Sequence, residues 1–380
     1  MRLLHLADLH LGKVVHGYSM IEEQRYILRQ ILAAAEEQKV DAVLIAGDVY
    51  DRAVASEEAV RLFDEFLVRL AALSLEVFVI SGNHDSGERL NYGRRFFQKQ
   101  RIHIAGTYEA SLGKVTLTDE YGAVNFYLLP FVTKAALRHA WPEEEITSYD
   151  AAIATALKHA EVDFAARNVI LAHQFVAHGD SRPALGGSEI IAPSVGTIEA
   201  IGSQVFDGFD YVALGHVHRP QWIGRKTVCY AGSPLKYSLR EANDEKTMVL
   251  VTLGPKGEDP DPKTLSLRPR RDLRRVEGTL AELRAEVKAP DDYLYVTLTD
   301  ELPVLNAMEL VRQFYPNTMK VDFAPGGVRE RKAAATQKAP EEKDFASLVR
   351  EFYAREGGSA PTQEEWAVLN EAAREAGVVE

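Results

Sequence analysis

The stretch AVLIAGDVYD, at Ala42–Asp51, decides the fold because it is an apolar run that ends in glycine and a carboxylate. The run Ala42–Ala46 has the length of a strand buried on both faces and is short for a helix. Asp48 follows Gly47 just past the end of that strand. In open α/β sheets the ligand crevice lies outside the carboxyl ends of the strands, so Asp48 is placed where a ligand would bind. Taken alone, such an Asp is read as a plain turn residue.

Four other segments repeat this pattern of an apolar run that ends in Asp, His or Asn. They are Leu3–His10, Val77–Asp85, Val169–Phe175 and Tyr211–His218. Five strand ends that present oxygen and imidazole side chains predict a metal-centred active site. Within that site, Asp48 is the candidate to bridge two ions.

The composition limits the classes of protein to which the chain can belong. It has 380 residues, 46% hydrophobic content and a formal net charge of −12. This length predicts a large core and more than one domain, and the negative charge leaves nucleic-acid binding to local basic patches and metal ions. The single cysteine, Cys229, excludes an intrachain disulfide and a thiolate metal site. Because the sequence shows neither an apolar run of about 20 residues nor a signal peptide, we expect a cytoplasmic protein with no membrane partner.

Residues 1–254 are predicted to form the first domain, which ends before the turn-rich connector Pro255–Pro262. Apolar residues at helical spacing predict a helix over Glu22–Gln38, between the first two strands of a parallel β-α-β unit. Ser56 is the predicted N-cap of a second helix that runs through Leu73.

A smaller second domain is predicted at residues 263–323. It reads as a β-α-β-α-β module with strands at Lys263–Leu267, Tyr293–Leu298 and Thr318–Phe323 and helices at Ala281–Val287 and Val304–Phe314. Residues 324–340 have no apolar period and are predicted to be a flexible linker.

The last segment, residues 341–380, is predicted to be a helical hairpin. Its first helix has apolar residues at i, i+3, i+4, i+7 and i+8, and Thr362 with Glu365 offers a capping box for the second. A hairpin this small cannot bury its apolar residues alone, so it should dock on the main domain or on another protein. The residues expected at that contact are Phe345, Leu348, Phe352 and Trp366.

Two basic segments are candidates for contact with the DNA backbone. Gly87–Arg101 mixes basic residues with aromatic ones, and Arg268–Arg275 has five arginines against one aspartate. The alternatives are the solvated face of an amphipathic helix for the first segment and a charged edge strand for the second. The candidate DNA-binding residues are Arg89, Arg94, Arg95, Arg270, Arg271, Arg274 and Arg275.

The candidate metal ligands supply only oxygen and nitrogen atoms. They are Asp8, His10, Asp48, Asn83, His173, His216 and His218. Such a set suits Mn or Fe and tolerates Zn or Co. Two ions about 3.5–4 Å apart that share a carboxylate clamp a phosphate and generate a hydroxide nucleophile, which predicts phosphoester hydrolysis. His84 beside Asp85 is a general acid/base or charge-stabilising arrangement, and the alternative is a polar turn.

In this order, the motifs resemble those of the calcineurin-like metallophosphoesterases. They are Asp8-x-His10, Gly47-Asp48-x-x-Asp51, Gly82-Asn83-His84-Asp85, His173 and Gly215-His216-x-His218. Within that superfamily, the chain is similar to the SbcD-type nuclease subunits of bacterial SbcCD complexes. This closer similarity rests on GDVYDR, GNHDS, YVALGHVHRPQ, AGSPLKYSLRE (Ala231–Glu241) and the order of the domains. It covers essentially the whole chain and is least specific after residue 255.

The resemblance implies a fold and a division of roles. The fold would be an α/β four-layer α/β/β/α sandwich of two mixed sheets, with a small α+β capping domain and a C-terminal helical hairpin. One ion, most simply Mn²⁺, would be held by Asp8, His10, Asp48 and His218, and the other by Asp48, Asn83, His173 and His216. His84 would stabilise the scissile phosphate or protonate the leaving oxygen, with Asp85 as its orienting partner.

The resemblance also implies an activity and partners. The chain would be a DNA exonuclease and endonuclease that processes double-strand ends, single strands and hairpins at the nucleoid. Its partner would be an SbcC-type, SMC-like ATPase, with two copies of each subunit, whose coiled-coil base receives the hairpin at residues 341–380. A homodimer would form through the helices Ser56–Leu73 and Asn91–Arg101.

Two alternatives remain open at the level of sequence. The first is a phosphatase or cyclic-nucleotide phosphodiesterase of the same superfamily, although a small substrate requires neither a basic module nor a terminal hairpin. The second is a scaffold without activity, although such a scaffold would be expected to lose ligands and none of the seven is missing.

Overall fold

The computed structural model describes residues 1–187, 200–324, 349–350, 353 and 361–375. Its strands are β1 (Arg2–Leu6), β2 (Val14–Val15), β3 (Tyr18–Ser19), β4 (Ala42–Ala46), β5 (Glu76–Ile80), β6 (Ile102–Ala105), β7 (Gly113–Asp119), β8 (Gly122–Leu129), β9 (Arg167–His173), β10 (Val176–Ala177), β11 (Ile201–Gly202), β12 (Tyr211–Gly215), β13 (Gln221–Ile223), β14 (Arg225–Tyr230), β15 (Thr247–Thr252), β16 (Asp261–Ser266), β17 (Leu273–Gly278), β18 (Tyr293–Leu298) and β19 (Thr318–Phe323). Its helices are α1 (Ile21–Glu37), α2 (Glu57–Ala72), α3 (Gly87–Leu90), α4 (Arg94–Phe97), α5 (Lys134–Ala140), α6 (Tyr149–Lys158), α7 (Leu280–Ala285), α8 (Ala307–Arg312) and α9 (Gln363–Glu375).

Two mixed sheets of six strands form the centre of the molecule. The first sheet has the order β16-β15-β1-β4-β5-β6, and the second has the order β13-β14-β12-β9-β8-β7. The inner strands β1, β4 and β5 run parallel, as do β8, β9, β12 and β14. Their carboxyl ends therefore lie at one edge of each sheet, which is where ligands bind in α/β folds.

Alternate residues of β4 pack into different layers, which is why this strand is apolar throughout. Val43 and Ile45 belong to the core under the outer helices, and Leu44 belongs to the core between the two sheets. Between the sheets, Phe78 of the first stacks on Phe126 of the second with ring centroids 4.3 Å apart. The buried run predicted from the sequence is thus a central strand.

Helices cover the outer face of each sheet. α1 and α2 share the core of the first sheet, and α5 and α6 share that of the second. The layer order is α/β/β/α, so the predicted four-layer sandwich is confirmed. The helix predicted at Glu22–Gln38 is α1, and the one predicted to start after Ser56 is α2, where Ser56 Oγ accepts from the backbone N–H of Ala59 at 3.2 Å. Among the described residues, none of the helices is long and apolar enough to span a bilayer.

The small domain is a parallel three-stranded sheet, β17-β18-β19, with its own core around Leu294, Val296 and Val311. The strand predicted at Lys263–Leu267 as its first element is instead β16, which pairs antiparallel with β15 at the edge of the first sheet. The true first strand is β17. An edge strand over a small core exposes part of its side chains, and the sequence of β17, LRRVEG, carries two arginines. Because of these arginines the segment lacks the apolar run by which the other strands were predicted.

The small domain rests on α1 and on the β2–β3 hairpin. Arg271 Nη1 donates to the buried carboxylate of Glu23 on α1 at 2.7 Å. Tyr18 OH of the hairpin donates to the carbonyl of Thr318 at 3.2 Å. Ion pairing and hydrogen bonding therefore join the two domains next to the strand ends of the first sheet.

Candidate metal centre

All seven predicted ligands lie at carboxyl ends of strands and come from both sheets. Asp8 and His10 follow β1, Asp48 follows β4, Asn83 follows β5, His173 ends β9, and His216 and His218 follow β12. Within each sheet these strands run parallel, so their carboxyl ends share one edge. The two edges meet at the site, where His10 of the first sheet faces His218 of the second.

The backbone at these strand ends is strained. Four of the candidate ligands have positive φ angles: Asp8 (53°), His10 (44°), Asp48 (49°) and His216 (101°). Such a conformation costs a non-glycine residue about 1–3 kcal/mol and persists only when the surroundings impose it. Here the turn after β1 and the turn after β4 stabilise each other, since the N–H of His10 donates to the carbonyl of Asp48 at 2.9 Å. The strain falls on the residues expected to bind ions.

Two glycines are required by close approach. A Cβ at Gly47 would lie 2.2 Å from His173 Nδ1, and one at Gly82 would lie 2.1 Å from Asp48 Oδ1. Real Cβ atoms do not approach so closely, so these positions in GDVYD and GNHD must be glycine for the ligands to reach the site.

The first group of ligands, which we call the Asp8 pocket, consists of Asp8, His10, Asp48 and His218. His10 Nε2 lies 3.0 Å from His218 Nε2 and 3.6 Å from Asp48 Oδ2. One ligand atom from each of Asp8, His10 and His218 lies within 4.8 Å of the others, and all three residues are buried. One ion could bind to all of these side chains together.

The second group, the Asn83 pocket, consists of Asp48, Asn83, His173 and His216. Asn83 Oδ1 lies 3.2 Å from His173 Nε2 and 2.9 Å from His216 Nδ1. His173 Nε2 also lies 3.3 Å from Asp48 Oδ2. Asp48 Oδ2 thus lies beside ligands of both pockets, which is the position a bridging carboxylate would need.

The donor atoms fit divalent metal ions. Among the described residues, Asp8 Oδ2 has no hydrogen-bond partner although it is buried. A buried carboxylate oxygen without a partner is costly unless a cation neutralises it. Two imidazole nitrogens that face each other, those of His10 and His218, likewise need a shared cation or proton between them.

Burial sets the charges of these side chains before any ion binds. It holds the pKa of His10 well below its ordinary value and lowers the pKa of His216 to about 3. It raises the pKa of Asp8 to about 6. For His173, burial lowers the pKa, but the carboxylates of Asp48 and Asp8 outweigh it and raise the pKa to about 9. His10 and His216 are therefore already neutral, as metal binding requires, and His173 carries a proton that an ion must displace.

His84 lies beside the Asp8 pocket without being one of its four members. Its ring centroid is 4.6 Å from that of His10, and its backbone N–H donates to Asp48 Oδ1 at 2.9 Å. Its Nδ1 lies 2.8 Å from the carbonyl of Asp51. A carbonyl can only accept, so His84 Nδ1 carries the proton, and Nε2 is the nitrogen left for other contacts.

The orienting partner of His84 is thus the carbonyl of Asp51, and the role predicted for Asp85 is wrong. The carboxylate of Asp85 instead accepts three backbone N–H groups, from Gly82 (2.9 Å), Val49 (3.1 Å) and Tyr50 (2.9 Å). Neighbours in a turn project in different directions, so adjacency in sequence did not bring the two side chains together. Asp85 fixes the turns that carry Asp48 and Asn83.

Sequence reasoning also missed the residues that hold the first strand end. Gln24, buried on α1, donates from Nε2 to the carbonyl of His10 at 2.7 Å. Tyr237 OH donates to the carbonyl of Leu9 at 2.6 Å. The one sequence signal for Gln24 is a glutamine within the apolar face of a predicted helix, and Tyr237 lies in the motif AGSPLKYSLRE, whose pattern indicates no role for it.

A profile of the calcineurin-like phosphoesterase family matches residues 1–220 of the chain. The chain belongs to the calcineurin-like phosphoesterases. Its Asp and His clusters suit a dinuclear metal site, so this member of the family is a metal-dependent phosphoesterase. A second profile, SbcD_C, described as the type 5 capsule protein repressor C-terminal domain, matches residues 269–357. The two matches in this order support the resemblance to SbcD-type metallophosphoesterases.

Several solved structures match the chain at low similarity. A dimetal phosphatase from Danio rerio is 12% identical with a TM-score of 0.39, covering 70% of this chain and 99% of its own. GAP50, the anchor in the inner membrane complex of Plasmodium, is 13% identical with a TM-score of 0.38, covering 86% and 98%. YfcE, a phosphoesterase from E. coli, is 13% identical with a TM-score of 0.29, covering 70% and 100%. Scores this low add nothing to the family assignment.

The predicted DNA-binding arginines fall into two groups. Four are exposed: Arg89, Arg95, Arg270 and Arg275. Three form ion pairs within the chain: Arg94 with Glu109 at 2.9 Å, Arg271 with Glu23 at 2.7 Å and Arg274 with Asp292 at 2.6 Å. The charge of this second group is partly neutralised before any DNA approaches.

The predicted partner-binding residues lie mostly outside the described residues, since Phe345, Leu348 and Phe352 are not among them. Trp366 lies on α9 and is half-buried, with the Arg350 guanidinium 5.8 Å from its ring centroid. The predicted capping box is present, because Thr362 and Glu365 each bond the other's backbone N–H. The second helix of the predicted hairpin is therefore confirmed.

Proposed function

We propose that the chain is a DNA phosphodiesterase, cutting double-strand ends as an exonuclease and single strands or hairpins as an endonuclease, together with an SbcC-type ATPase. The observation that carries this proposal is a dinuclear ligand set in a domain that is followed by the module matched by SbcD_C. A phosphatase for small substrates would need the domain with the dinuclear ligand set but not the module that follows it.

The chemistry at the site follows from the geometry of the two pockets. Two bound divalent ions, which we propose to be Mn²⁺, would neutralise the phosphate oxygens and supply an activated water at neutral pH. Asp48 would hold both ions in place. When both ring nitrogens carry a proton, His84 would donate from Nε2 to the scissile phosphate or to the leaving oxygen while its Nδ1–H stays on the Asp51 carbonyl.

DNA contact is proposed for the four exposed arginines. Arg270 and Arg275 lie on the small domain, and Arg89 and Arg95 follow the turn that carries His84. Each contact with a phosphate releases counterions, so binding should weaken steeply with salt. Arg94, Arg271 and Arg274 would contribute less, because their ion pairs must be broken or shared.

A homodimer is proposed through the face that carries α2 and the segment around α4. Tyr92 and Phe96 there are 86% and 76% exposed, which is unusual for aromatic side chains. A cleft of about 560 Å³ lies beside them, between Val60 and Phe63 on one side and Phe97 on the other. An apolar cleft next to exposed aromatic rings is suited to receive the same face of a second copy.

The ATPase is proposed to bind the C-terminal segment at residues 341–380, in a complex with two copies of each subunit in the cytoplasm at the nucleoid. Deletion of that segment should leave metal binding and nuclease activity on short DNA intact. It should abolish co-purification with the ATPase and ATP-dependent cleavage of blocked ends. Undiminished binding of the ATPase to the truncated chain would place the contact elsewhere.

The nuclease proposal is tested by comparing DNA with a small chromogenic phosphodiester. Hairpin, single-stranded and blunt-ended DNA are assayed with Mn²⁺, Mg²⁺ and Zn²⁺ over a series of salt concentrations. We expect cleavage of DNA in Mn²⁺ with a steep salt dependence and cleavage of the small substrate with little. Asp48→Ala is the control for activity from contaminants. Hydrolysis of the small substrate without any cleavage of DNA would favour the phosphatase alternative.

A further inference from the structure

A buried ion pair lies directly behind His218, at the end of the motif AGSPLKYSLRE and just after it. Glu241 is fully buried and Lys246 is 4% exposed. Lys246 Nζ donates to Glu241 Oε2 at 2.6 Å, to the carbonyl of His218 at 2.9 Å and to Ser233 Oγ at 2.9 Å. The ammonium group thus has three acceptors for its three N–H bonds, which is what allows a lysine to be buried.

The other oxygen of Glu241 faces the metal centre. Glu241 Oε1 lies 3.7 Å from His218 Nδ1, and the opposite ring nitrogen, Nε2, faces His10 in the Asp8 pocket. A histidine that binds a metal usually gives its other ring N–H to a carboxylate or carbonyl, which fixes its tautomer and its orientation. At 3.7 Å the contact is longer than a hydrogen bond, and a small shift of either side chain would let Glu241 Oε1 accept that N–H from His218.

The same segment supports His10 through Tyr237. The backbone N–H of Tyr237 donates to Glu241 Oε2 at 3.2 Å. Its ring packs edge-on against His10 and His218, with centroids 5.7 and 6.2 Å away. The ion pair, the tyrosine and the two histidines therefore form one buried, connected unit behind the Asp8 pocket.

We propose that Glu241, held by Lys246, is a positioning residue that fixes the ring of His218 for an ion in the Asp8 pocket. This inference rests on the dinuclear centre of the proposed function and not on its substrate. The Asn83 pocket is supported differently, since His173 Nδ1 donates to the backbone carbonyl of Ala46 at 2.8 Å. A change at Glu241 should therefore weaken one ion site and spare the other.

Glu241→Gln is the decisive variant. Lys246 Nζ and the N–H of Tyr237 both require an acceptor at the position of Oε2, so they hold the amide oxygen there. The amide nitrogen then faces His218 Nδ1 and donates to it. His218 must carry its proton on Nε2, the nitrogen that should bind the ion. The charge changes by one unit, but the main effect is on the tautomer of the ligand.

The measurement is a calorimetric titration of the metal-free full chain with Mn²⁺, alongside thermal unfolding without metal. We expect the wild-type chain to bind two ions, and Glu241→Gln to lose about 10–100-fold in affinity at one site. The matched control is Asp119→Asn. Asp119 pairs with the buried Arg167 and with the N-terminal ammonium group, at the opposite end of β1 from the site. It should lose stability and keep both affinities.

The proposal is overturned if Glu241→Gln binds two Mn²⁺ ions with the same affinities as Asp119→Asn. Glu241 would then be only a structural partner of Lys246. If Glu241→Gln does not fold, Glu241→Asp replaces it, because it keeps a charge for Lys246 while drawing the carboxylate away from His218. The same selective loss is expected there, and unchanged affinities would again overturn the proposal. Absence of DNA cleavage would contradict the proposed function alone, whereas a wild-type chain that binds fewer than two ions would overturn the dinuclear centre as well.

Discussion

The metal centre and the arginine-rich segment Arg268–Arg275 are both predicted from clusters of charged or polar residues, yet they fold differently. In the metal centre, seven side chains from five strand ends lie together, as predicted. In the arginine-rich segment, two of the four predicted DNA contacts form ion pairs inside the chain instead. The difference teaches that spacing relative to a strand predicts position, whereas local composition predicts only charge.

The largest expected effect tests the shared ligand of the metal centre. Asp48→Ala should abolish binding of both ions, because Asp48 Oδ2 lies beside ligands of both pockets, 3.6 Å from His10 Nε2 and 3.3 Å from His173 Nε2. Calorimetric titration with Mn²⁺ measures the number of sites. Two sites remaining in this variant would contradict the bridging role and make the two pockets independent.

The predictability of the site has a limit that follows from its geometry. Apolar runs that end in Asp, His or Asn place residues at a sheet edge, and this was enough to predict that the seven candidate ligands lie together. The partner of His84 was beyond such reasoning, because the Asp51 carbonyl reaches it through the turn after β4. Backbone acceptors have no sequence signature. The same holds for the Glu241–Lys246 pair, whose contact with His218 depends on how a loop folds back.

The fold was predictable in the same way: individual strands and helices could be predicted from the sequence, but not all of their pairings. The five strands whose ends carry the candidate ligands and the helices α1 and α2 follow from the apolar patterns of the sequence. The strand β17 was missed because its arginines reach solvent or ion-pair partners, and β16 was assigned to the wrong domain because pairing cannot be read from one strand alone. Pairing depends on contacts that are distant in sequence.

His84 separates binding from chemistry within the metal centre. His84→Gln should keep both ions and lower the rate of phosphodiester hydrolysis by about 10²–10⁴-fold, because a positioned acid is removed while the ligands stay. The rate is measured at saturating Mn²⁺, with the site count from calorimetry as the control. If this variant lost an ion together with its activity, His84 would be a ligand and the two pockets would need to be redrawn.

The proton on His173 makes metal affinity depend on pH. Because the carboxylates of Asp48 and Asp8 raise the pKa of His173 to about 9, the metal-free ring is protonated at pH 7. An ion binds only the neutral ring, so affinity should rise about tenfold per pH unit from pH 7 up to that pKa and then level off. Titrations in two buffers of different ionisation enthalpy count the protons released, and we expect about one. Release of none would contradict a protonated His173.

Arg271 was predicted from local composition to contact DNA, but it forms an ion pair with Glu23 inside the chain. Arg271→Ala should lower the free energy of unfolding by about 1–3 kcal/mol, because it leaves the buried carboxylate of Glu23 without its ion-pair partner. Chemical denaturation measures this, and Mn²⁺ titration is the control, since both ion sites should remain. A variant as stable as the wild type would show that the ion pair is not needed to hold the small domain on α1.

The smallest expected effect concerns the two arginines of the segment that remain exposed. Arg270→Ala together with Arg275→Ala should leave stability within about 0.5 kcal/mol of the wild type, because neither side chain is buried. If both contact DNA phosphates, the slope of log K against log salt for duplex binding should fall by about 0.9 for each, roughly 1.8 in total. Hydrolysis of a small phosphodiester should not change, since the metal centre is untouched. Equal slopes for variant and wild type would make these arginines a solvated edge and would leave DNA binding to Arg89, Arg95 and the ions.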